Sequence, residues 1–336
     1  MKLVTFASHA QPRQPRLGAL LGEAVVDLSV ARTWAQGARS LIPEDLPGSM
    51  IELLYAGPPA WDYVHQLVDA LIGEDPLHLK GANRLPVGFP PDQVLLYPPL
   101  PRPNSLRDFY AFEAHVKTAF ANRGKEVPAE WYQIPVFYFS NSNAVFGPRE
   151  MIPYPATSQA LDYELEVAAV IGQAGIDIPP EKADDHIFGY TIFNDWSARD
   201  IQQVEIRVGL GPAKAKDFAS SLGPAIITPD ELSDRATGRP GVYQLEMVAR
   251  INGEERSRGN WQDMHYSFGD LIARASAGVL LMPGDVIGSG TVGSGCLSEL
   301  TAGQGPWLKA NDSVELEIER FGVLANRISP PRQPSK

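Results

Sequence analysis

The amino-acid sequence predicts an α+β protein that is mostly β, with a small β-rich N-terminal domain ahead of a larger domain. Glycine and proline each occur 30 times among the 336 residues, and turn formers at this frequency are typical of chains with many short strands. Strand-like apolar runs recur along the whole chain, whereas few segments repeat their apolar residues with helical spacing. A proline-rich stretch over residues 85–103 separates the two expected domains.

The small N-terminal domain is expected to cover residues 1–95. Its first 30 residues contain three apolar runs that predict strands: KLVTF, RLGALLG and AVVDLS. Residues 49–73 have apolar side chains at helical spacing on either side of AGPPAW, which predicts two helices. The proline-rich stretch cannot form a continuous helix or a central strand, because proline lacks the backbone N–H that both require. We therefore interpret it as the connection between the two domains.

The larger domain is expected to cover residues 104–330 and to consist mainly of strands. Its strand-like runs alternate with glycine and proline turns: EVAAVIG, FGYTIFN, YQLEMVARING, DVIGSGT and SVELEIERFG. Two segments have helical periodicity instead, so helices are predicted over residues 109–122 and over residues 265–276.

Charge and cysteine content argue against several classes of function. The formal net charge of −11 is unfavourable for nucleic-acid binding, which needs a basic surface. No run approaches about 18 apolar residues, so no membrane span is expected. The first residues lack the apolar core of a signal peptide, which predicts a cytoplasmic location. Cys296, the one cysteine of the sequence, excludes an intrachain disulfide and a thiolate metal cluster, and we interpret it as a packing residue.

Two acidic residues at alternate positions mark the start of the run EVAAVIG. If Glu164 and Glu166 lie on one strand, their side chains point to the same face. Neighbouring carboxylates repel each other, and a hard divalent cation would remove that repulsion, because carboxylate oxygens are its preferred ligands. The alternative is an exposed strand edge with two solvated glutamates, since glutamate is most often exposed.

A second polar group follows the strand-like run YTIFN. Asp195 would end this strand, and Arg199 and Gln202 would share one face of the next helix through their i, i+3 spacing. A carboxylate, a guanidinium and an amide that converge in this way can bind a metal and an oxyanion. The alternative is an ordinary capped helix with polar residues on its surface.

A histidine and a glycine-rich turn are two further candidates. Asp108 and His115 are seven residues apart, almost two helical turns, so within one helix they would share a face. A histidine beside a metal site is a natural general base, although a lone histidine on a helix more often packs or faces solvent. The turn PGDVIGSGT, which Glu299 follows, would either let the backbone approach a ligand closely or simply connect two strands. It is not a nucleotide-binding loop, because neither GxGxxG nor GxxxxGK[ST] is present.

The segments DYELE, NDWSARDIQQ and PGDVIGSGT, in this order, resemble the signature of the fumarylacetoacetate hydrolase family. The resemblance extends over about residues 107–312. It implies a larger domain folded as a mixed β-sandwich roll and a protein that forms a homodimer. It also implies one divalent cation (Mg²⁺, Ca²⁺ or Mn²⁺) as cofactor and a small dicarbonyl acid as substrate.

The resemblance implies a role for each matching residue. The family's metal-ligating carboxylates correspond to Asp108, Glu164, Glu166 and Asp195. Its water-activating general base corresponds to His115, and the acid that orients this base corresponds to Glu299. The polar groups that hold the substrate and stabilise its developing anion correspond to Arg199, Gln202 and Lys216. Further substrate contacts correspond to Tyr110, Tyr138, Gly290 and Thr291.

The sequence departs from the animal hydrolases of this family in three places. Ile206 stands where those enzymes have a tyrosine, and the chain is shorter than theirs. Lys214 competes with Lys216 as the catalytic lysine; we prefer Lys216 because its surroundings, KDF, resemble the family's Lys-x-Phe.

This residue set suits hydrolysis of a carbon–carbon bond in a small 1,3-dicarbonyl acid of the fumarylacetoacetate or acylpyruvate type. His115 and Glu299 can activate water, and a divalent cation can polarise the attacked carbonyl. Lys216, Arg199 and Gln202 can stabilise the leaving enolate. Without attack by water, the same enolate chemistry would make the chain a decarboxylase or a keto–enol tautomerase of oxaloacetate-like acids. A non-catalytic, metal-stabilised β protein is the remaining alternative, against which the presence of so many reactive groups argues.

Overall fold

The computed structural model describes residues 1–38, 46–209 and 211–331. Its α-helices in these ranges are α1 (Leu28–Ala38), α2 (Met50–Ala56), α3 (Pro58–Asp69), α4 (Glu113–Ala121), α5 (Arg199–Val208), α6 (Phe268–Ser276) and α7 (Leu297–Leu300). Its first ten strands are β1 (Lys2–Ser8), β2 (Arg16–Leu21), β3 (Ala24–Asp27), β4 (Gly88–Phe89), β5 (Val94–Leu96), β6 (Ser105–Phe109), β7 (Phe137–Ser140), β8 (Val145–Phe146), β9 (Met151–Ile152) and β10 (Leu161–Asp162). The other strands are β11 (Leu165–Ile171), β12 (Ile187–Asn194), β13 (Ser197–Ala198), β14 (Ser220–Ile227), β15 (Glu246–Ile251), β16 (Glu254–Asn260), β17 (Asp285–Gly288), β18 (Ser313–Ile318) and β19 (Gly322–Ile328).

A twelve-stranded sheet runs through both halves of the chain. Its order is β4-β3-β2-β1-β14-β12-β11-β17-β6-β7, with β5 paired to β1 and β8 paired to β14. The N-terminal strands join the rest through β1, which pairs antiparallel with β14 and places Leu3 opposite Ile226. The segments 1–95 and 104–330 therefore share one sheet, and a domain boundary between them stays a prediction.

The large sheet is covered on both of its faces. A second sheet, of order β16-β15-β18-β19-β9, packs on one face, and α1, α2 and α3 pack on the other. Strand β11 shows this division, because Val167 and Ala169 belong to the apolar cluster that includes the second sheet. Ala168 and Val170 belong to the cluster with the helices. A strand covered on both faces needs a continuous apolar run, and the α+β, mostly β class predicted from such runs is confirmed.

The two helices predicted within residues 49–73 are present as α2 and α3. Ser49 caps α2 in a capping box with Glu52, an arrangement that satisfies two otherwise unpaired backbone N–H groups. The helix predicted over residues 265–276 begins at Phe268, after a capping box between Ser267 and Asp270. None of the described helices has the length and apolar character that a membrane span requires.

The helix predicted over residues 109–122 is shorter than expected, because α4 spans Glu113–Ala121. Phe109 instead ends β6, a strand held between β17 and β7. The prediction that Asp108 and His115 share a helix face is therefore wrong: Asp108 lies on a strand and His115 on the helix that follows it. Helical periodicity could not reveal this, since the pairing that holds β6 comes from residues far away in the sequence.

Candidate active site

Four buried carboxylates meet at neighbouring strands of the large sheet. Asp108 lies on β6, Glu166 on β11, and Glu164 and Asp195 lie next to the ends of β11 and β12. One oxygen from each of the four carboxylates lies within 4.8 Å of the others. None of these residues is more than 5% exposed, so the predicted acidic cluster is present and buried.

The backbone at Gly290 holds two of these carboxylates in place. Its N–H donates to Asp108 Oδ1 and to Glu166 Oε2, at 3.1 Å in both cases. The φ angle of Gly290 is +78°, and an added Cβ would lie 2.5 Å from the carbonyl oxygen of Phe109. Only glycine fits this position. Thr291 Oγ1 is a further donor, 3.3 Å from Glu166 Oε1.

The pKa values of the four carboxylates are shifted in different directions. Burial, together with the nearby negative charges, raises the pKa of Asp108 and the pKa of Glu166 well above their usual values. Burial also raises the pKa of Asp195, to about 6, although the ammonium of Lys216 opposes the shift. Burial acts on Glu164 in the same direction, but Lys216 and Arg199 overcome it and hold the pKa of Glu164 below its usual value.

This group of residues fits a divalent cation. Asp195 Oδ1 is buried and has no hydrogen-bond partner among the described residues, and such orphaned buried acceptors are unfavourable. Lys216 Nζ lies 2.5 Å from Glu164 Oε2 and 2.5 Å from Asp195 Oδ2, and Arg199 Nη2 lies 2.7 Å from Glu164 Oε1. Two cations do not balance four ionised carboxylates. Oxygen donors of this kind bind Mg²⁺, Mn²⁺ and Ca²⁺.

A histidine–glutamate pair lies against the same cavity. His115 is on α4 and Glu299 on α7, and Nδ1 of the histidine contacts Oε1 of the glutamate. The other carboxylate oxygen of Glu299 accepts from the backbone N–H of Ser294 at 3.0 Å. The ring of Tyr110 packs edge-on against the imidazole, with centroids 5.2 Å apart. Because the carboxylate can only accept at Nδ1, the proton belongs there and Nε2 is left as the basic nitrogen.

Arg199 and Gln202 share a face of α5, as their spacing predicts. Arg199 Nη1 donates to Gln202 Oε1 at 3.1 Å, and Nη2 lies 2.7 Å from Glu164 Oε1. Of the two candidate lysines, Lys216 is 3% exposed and belongs to the cluster. Lys214 lies outside, on the surface, where it pairs with Asp217 at 2.9 Å.

A cavity of about 780 Å³ connects these groups. Every residue that the resemblance assigned to the site lines this cavity except Asp195, namely Asp108, Tyr110, His115, Tyr138, Glu164, Glu166, Arg199, Gln202, Lys216, Gly290, Thr291 and Glu299. Asp195 accepts a hydrogen bond at Oδ2 from the hydroxyl of Tyr138. Ile206 also lines the cavity, at the position where the animal enzymes have a tyrosine.

Sequence reasoning missed several residues around the cavity. Cys296 is buried as expected, but it also lines the cavity, with Sγ 3.7 Å from Glu299 Oε1. Arg123, Lys125 and Arg207 line the cavity as exposed side chains and form no ion pair with any described residue. They lie on segments distant in sequence, so no local pattern connects them. Asp162, inside the DYELE segment, is also buried near the site, where it accepts from Arg199 Nε at 2.8 Å.

Comparison with known proteins identifies the family. Residues 105–329 match the family described as fumarylacetoacetate (FAA) hydrolase C-terminal. An oxaloacetate tautomerase of Bacillus subtilis (strain 168) is 29% identical over 286 residues, which cover 85% of this chain and 88% of that protein. A mitochondrial oxaloacetate tautomerase of Bos taurus is 29% identical over 330 residues, which cover 98% of this chain and 91% of that protein.

A solved structure agrees with the family match. The fumarylacetoacetate hydrolase from psychrophilic Exiguobacterium antarcticum aligns with a TM-score of 0.69 and 25% sequence identity, and the alignment covers 99% of this chain and 100% of that one. The family match extends over more than half of the chain and includes every candidate site residue. This chain therefore belongs to the fumarylacetoacetate hydrolase family.

Proposed function

We propose that this chain is a divalent-metal-dependent keto–enol tautomerase of oxaloacetate-like 2-oxo acids. The observation that carries the proposal is that a buried cluster of four carboxylates and a histidine–glutamate pair face one cavity. The names of the two curated relatives, both oxaloacetate tautomerases, support the choice of reaction.

The proposed metal site consists of Asp108, Glu164, Glu166 and Asp195. A divalent cation held there would polarise the 2-oxo group of the substrate and acidify the neighbouring C–H bond. The cluster suits one cation, because a second cation would have to share the same four buried carboxylates. The same four residues would hold Mg²⁺, Mn²⁺ or Ca²⁺.

We assign the proton transfer to His115. Nε2 of the imidazole would take the proton from the carbon next to the ketone, while the electron pair of the broken C–H bond forms the C=C bond of the enol. The proton would then pass to the former ketone oxygen, so that the reaction is an isomerisation without net loss or gain of atoms. Glu299 holds the protonated Nδ1, which orients the ring and stabilises the imidazolium that forms.

The remaining residues would bind the substrate. Arg199, Gln202 and Lys216 present positive charge and an amide to the oxygen that becomes negative, and preplaced groups of this kind stabilise an enolate. Gly290 and Thr291 would hold a carboxylate. Substrate contacts by Tyr110 and Tyr138 complete the proposed site.

The mouth of the cavity favours a substrate with a second negative charge. Arg123, Lys125 and Arg207 are exposed there and have no acidic partner among the described residues. A local positive patch on a chain of net charge −11 attracts small anions towards the opening. A dicarboxylic acid such as oxaloacetate would place one carboxylate deep in the cavity and the other near these cations.

Hydrolysis of a carbon–carbon bond is the second candidate function. It is favoured by the contact between His115 and Glu299, because a histidine that is held by a carboxylate can also activate a water molecule. The solved hydrolase from Exiguobacterium antarcticum supports this candidate.

Parallel assays of the purified protein distinguish these functions. We expect Mg²⁺ or Mn²⁺ to accelerate conversion of enol oxaloacetate to its keto form, measured by the loss of enol absorbance, and a chelator to stop it. An acylpyruvate and fumarylacetoacetate, followed for release of the two product acids, test hydrolysis. If the protein cleaves an acylpyruvate or fumarylacetoacetate but does not tautomerise oxaloacetate, hydrolysis becomes the better candidate function. If chelation changes only the melting temperature and neither reaction occurs, the metal is structural and the proposal is wrong.

We also propose that the protein forms a homodimer, which light scattering on the purified chain tests. A cytoplasmic location stays a prediction from the N-terminal sequence.

A further inference from the structure

We propose that Asp162 is a positioning residue that connects the anion-binding side of the site to the proton-transfer side. The inference rests on the proposed function, in which Arg199 binds the substrate and Glu299 orients His115. Asp162 is fully buried and is absent from the cavity lining. It therefore acts through other residues and does not touch the substrate.

Both oxygens of Asp162 are saturated by donors. Oδ1 accepts from the backbone N–H of Tyr163 at 2.9 Å and from that of Leu297 at 2.8 Å. Oδ2 accepts from the backbone N–H of Ser298 at 3.0 Å and from Nε of Arg199 at 2.8 Å. A buried carboxylate with four donors is strongly fixed, because each of the four N–H groups loses an acceptor if the carboxylate changes.

One branch of this network reaches the substrate-binding groups. With Nε held by Asp162, the guanidinium of Arg199 directs Nη2 to Glu164 at 2.7 Å and Nη1 to Gln202 at 3.1 Å. The guanidinium is planar, so the bond at Nε determines the plane in which the other two nitrogens lie.

The other branch reaches the base. Leu297 and Ser298 form the first turn of α7, and the next residue in that turn is Glu299. Four residues cannot hold a helix by their own backbone bonds, so the two bonds to Asp162 supply an anchor for the turn. The carboxylate of Glu299 then contacts Nδ1 of His115. Displacement of the turn would therefore move the group that orients the imidazole.

The first test is the variant Asp162→Asn, which keeps the shape of the side chain. If its NH₂ group replaces Oδ1, the N–H groups of Tyr163 and Leu297 lose their acceptor. If it replaces Oδ2, Ser298 and Arg199 lose theirs, so the α7 turn loses one bond in either orientation. We expect kcat to fall roughly ten- to hundredfold, with Mg²⁺ affinity in titration calorimetry unchanged. The matched control is Asp200→Asn. Asp200 accepts from Ser158 Oγ at 2.7 Å and from the N–H of Gln159 at 2.7 Å, but it is not in the cavity lining.

A second pair of variants removes a donor and leaves Asp162 intact. Leu297 is the first residue of α7, where proline is well tolerated, and Cys296 before it is extended, with ψ of 159°, as a residue before proline prefers. Leu297→Pro removes the N–H that Asp162 accepts, whereas Leu297→Ala keeps it and loses only the side chain. We expect Leu297→Pro to lower kcat about fivefold more than Leu297→Ala.

The imidazole N–H resonance of His115 in the proton NMR spectrum tests the proposal without turnover. A proton between Nδ1 and a carboxylate resonates far downfield, and its loss in His115→Gln assigns it. We expect Asp162→Asn and Leu297→Pro to shift or broaden this resonance, and Asp200→Asn and Leu297→Ala to leave it in place.

The outcomes test the proposed function and the role of Asp162 separately. If the parent protein does not tautomerise oxaloacetate, the proposed function fails, and the resonance still decides the role of Asp162. If the resonance and the kcat of Asp162→Asn match those of Asp200→Asn, Asp162 only stabilises the fold and the inference is overturned. In double variants with Glu299→Gln, we expect losses of kcat that are smaller than additive, because both changes act on the same base. Additive losses would also overturn it.

Discussion

The carboxylate cluster and the histidine–glutamate pair face the same cavity but are built differently. The four carboxylates lie on, or directly beside, strands in the middle of a sheet that is covered on both faces. His115 and Glu299 lie on α4 and α7, two short helices. The residues that follow α4, 122–126, are all exposed. We therefore expect cation binding to depend on the central strands of the sheet, and proton transfer to depend on the tertiary contacts that hold α4 and α7. Substitutions should therefore separate the two properties.

The largest effect is expected for Glu166→Ala. Glu166 is fully buried and accepts hydrogen bonds from Gly290 and Thr291. Its oxygens therefore have a fixed position inside the site, which an acid on the surface cannot reach. We expect Mg²⁺ binding in titration calorimetry and metal-dependent turnover both to be abolished. Glu181→Ala, at an exposed site, is the control and should bind Mg²⁺ as the parent does. Unchanged Mg²⁺ binding in Glu166→Ala would show that the carboxylate cluster is not the metal site.

His115→Ala should separate the two halves of the site. We expect kcat to fall about 10²- to 10⁴-fold, the usual contribution of a general base, while Mg²⁺ affinity stays the same because imidazole is not needed among the oxygen ligands. Glu299→Gln should have a smaller effect of the same kind, since it removes charge but keeps shape. Decarboxylation, which needs no base, should be less affected. If His115→Ala turns over at the parent rate, His115 is not the base. If the variant loses Mg²⁺ binding, metal binding and proton transfer do not depend on separate residues.

The pKa shifts of the carboxylates predict how Mg²⁺ binding should depend on pH. The folded pKa values of Asp108, Glu166 and Asp195 are raised, the last to about 6. A carboxyl group with a raised folded pKa favours the folded state at low pH, and this stabilisation is lost as pH rises through the interval between its unfolded and folded pKa values. Because Mg²⁺ requires the ionised groups, the cation restores more stability at higher pH.

The measurement is thermal unfolding with and without Mg²⁺. We expect a larger Mg²⁺-induced increase in melting temperature at about pH 8 than at about pH 5.5. The Glu166→Ala variant is the control and should show no increase at either pH. An equal increase in the parent protein at both values would mean that binding displaces no protons and that the acids are already ionised.

The smallest effect is expected at the mouth of the cavity. Arg207→Gln removes one exposed cation that has no acidic partner among the described residues. We expect KM for a dicarboxylic acid to rise roughly two- to fivefold, as for other exposed charge pairs, with little change in kcat. Added salt should reduce the difference from the parent. Arg102→Gln, exposed and outside the cavity lining, is the control. An equal rise of KM in Arg102→Gln would argue against attraction of the substrate by Arg207.

Much of the acidic cluster could be predicted from the sequence. Glu164 and Glu166 alternate with apolar residues at the start of β11, and strand geometry alone directs them to one face. The same reasoning placed Asp195 at the end of a strand and Arg199 and Gln202 on one helix face, as the structure has them. These predictions succeeded because they depend on one element at a time.

Other parts of the site could not be predicted from local pattern. Helical spacing over residues 109–122 predicts that Asp108 shares a face with His115, whereas pairing with β17 and β7 makes Ser105–Phe109 a strand. Asp162 has the same sequence signature as the acids beside it, and only its four donors distinguish it from a metal ligand. Nothing in the sequence indicates that Arg123, Lys125 and Arg207 line one cavity.

The sequence alone shows which reactive side chains the chain carries and how each short segment alternates between apolar and polar positions. Those patterns are enough for the mostly β class, for the apolar strands and for the pairs of side chains that share a face, because they follow from the periods of the strand and the helix. Tertiary structure alone decided which segments meet. The contact between His115 and Glu299 spans 184 residues, and that between Asp162 and Leu297 spans 135. Contacts at such separations depend on how the whole sheet and its covering layers pack, since burial of apolar surface in every layer is what brings these segments together.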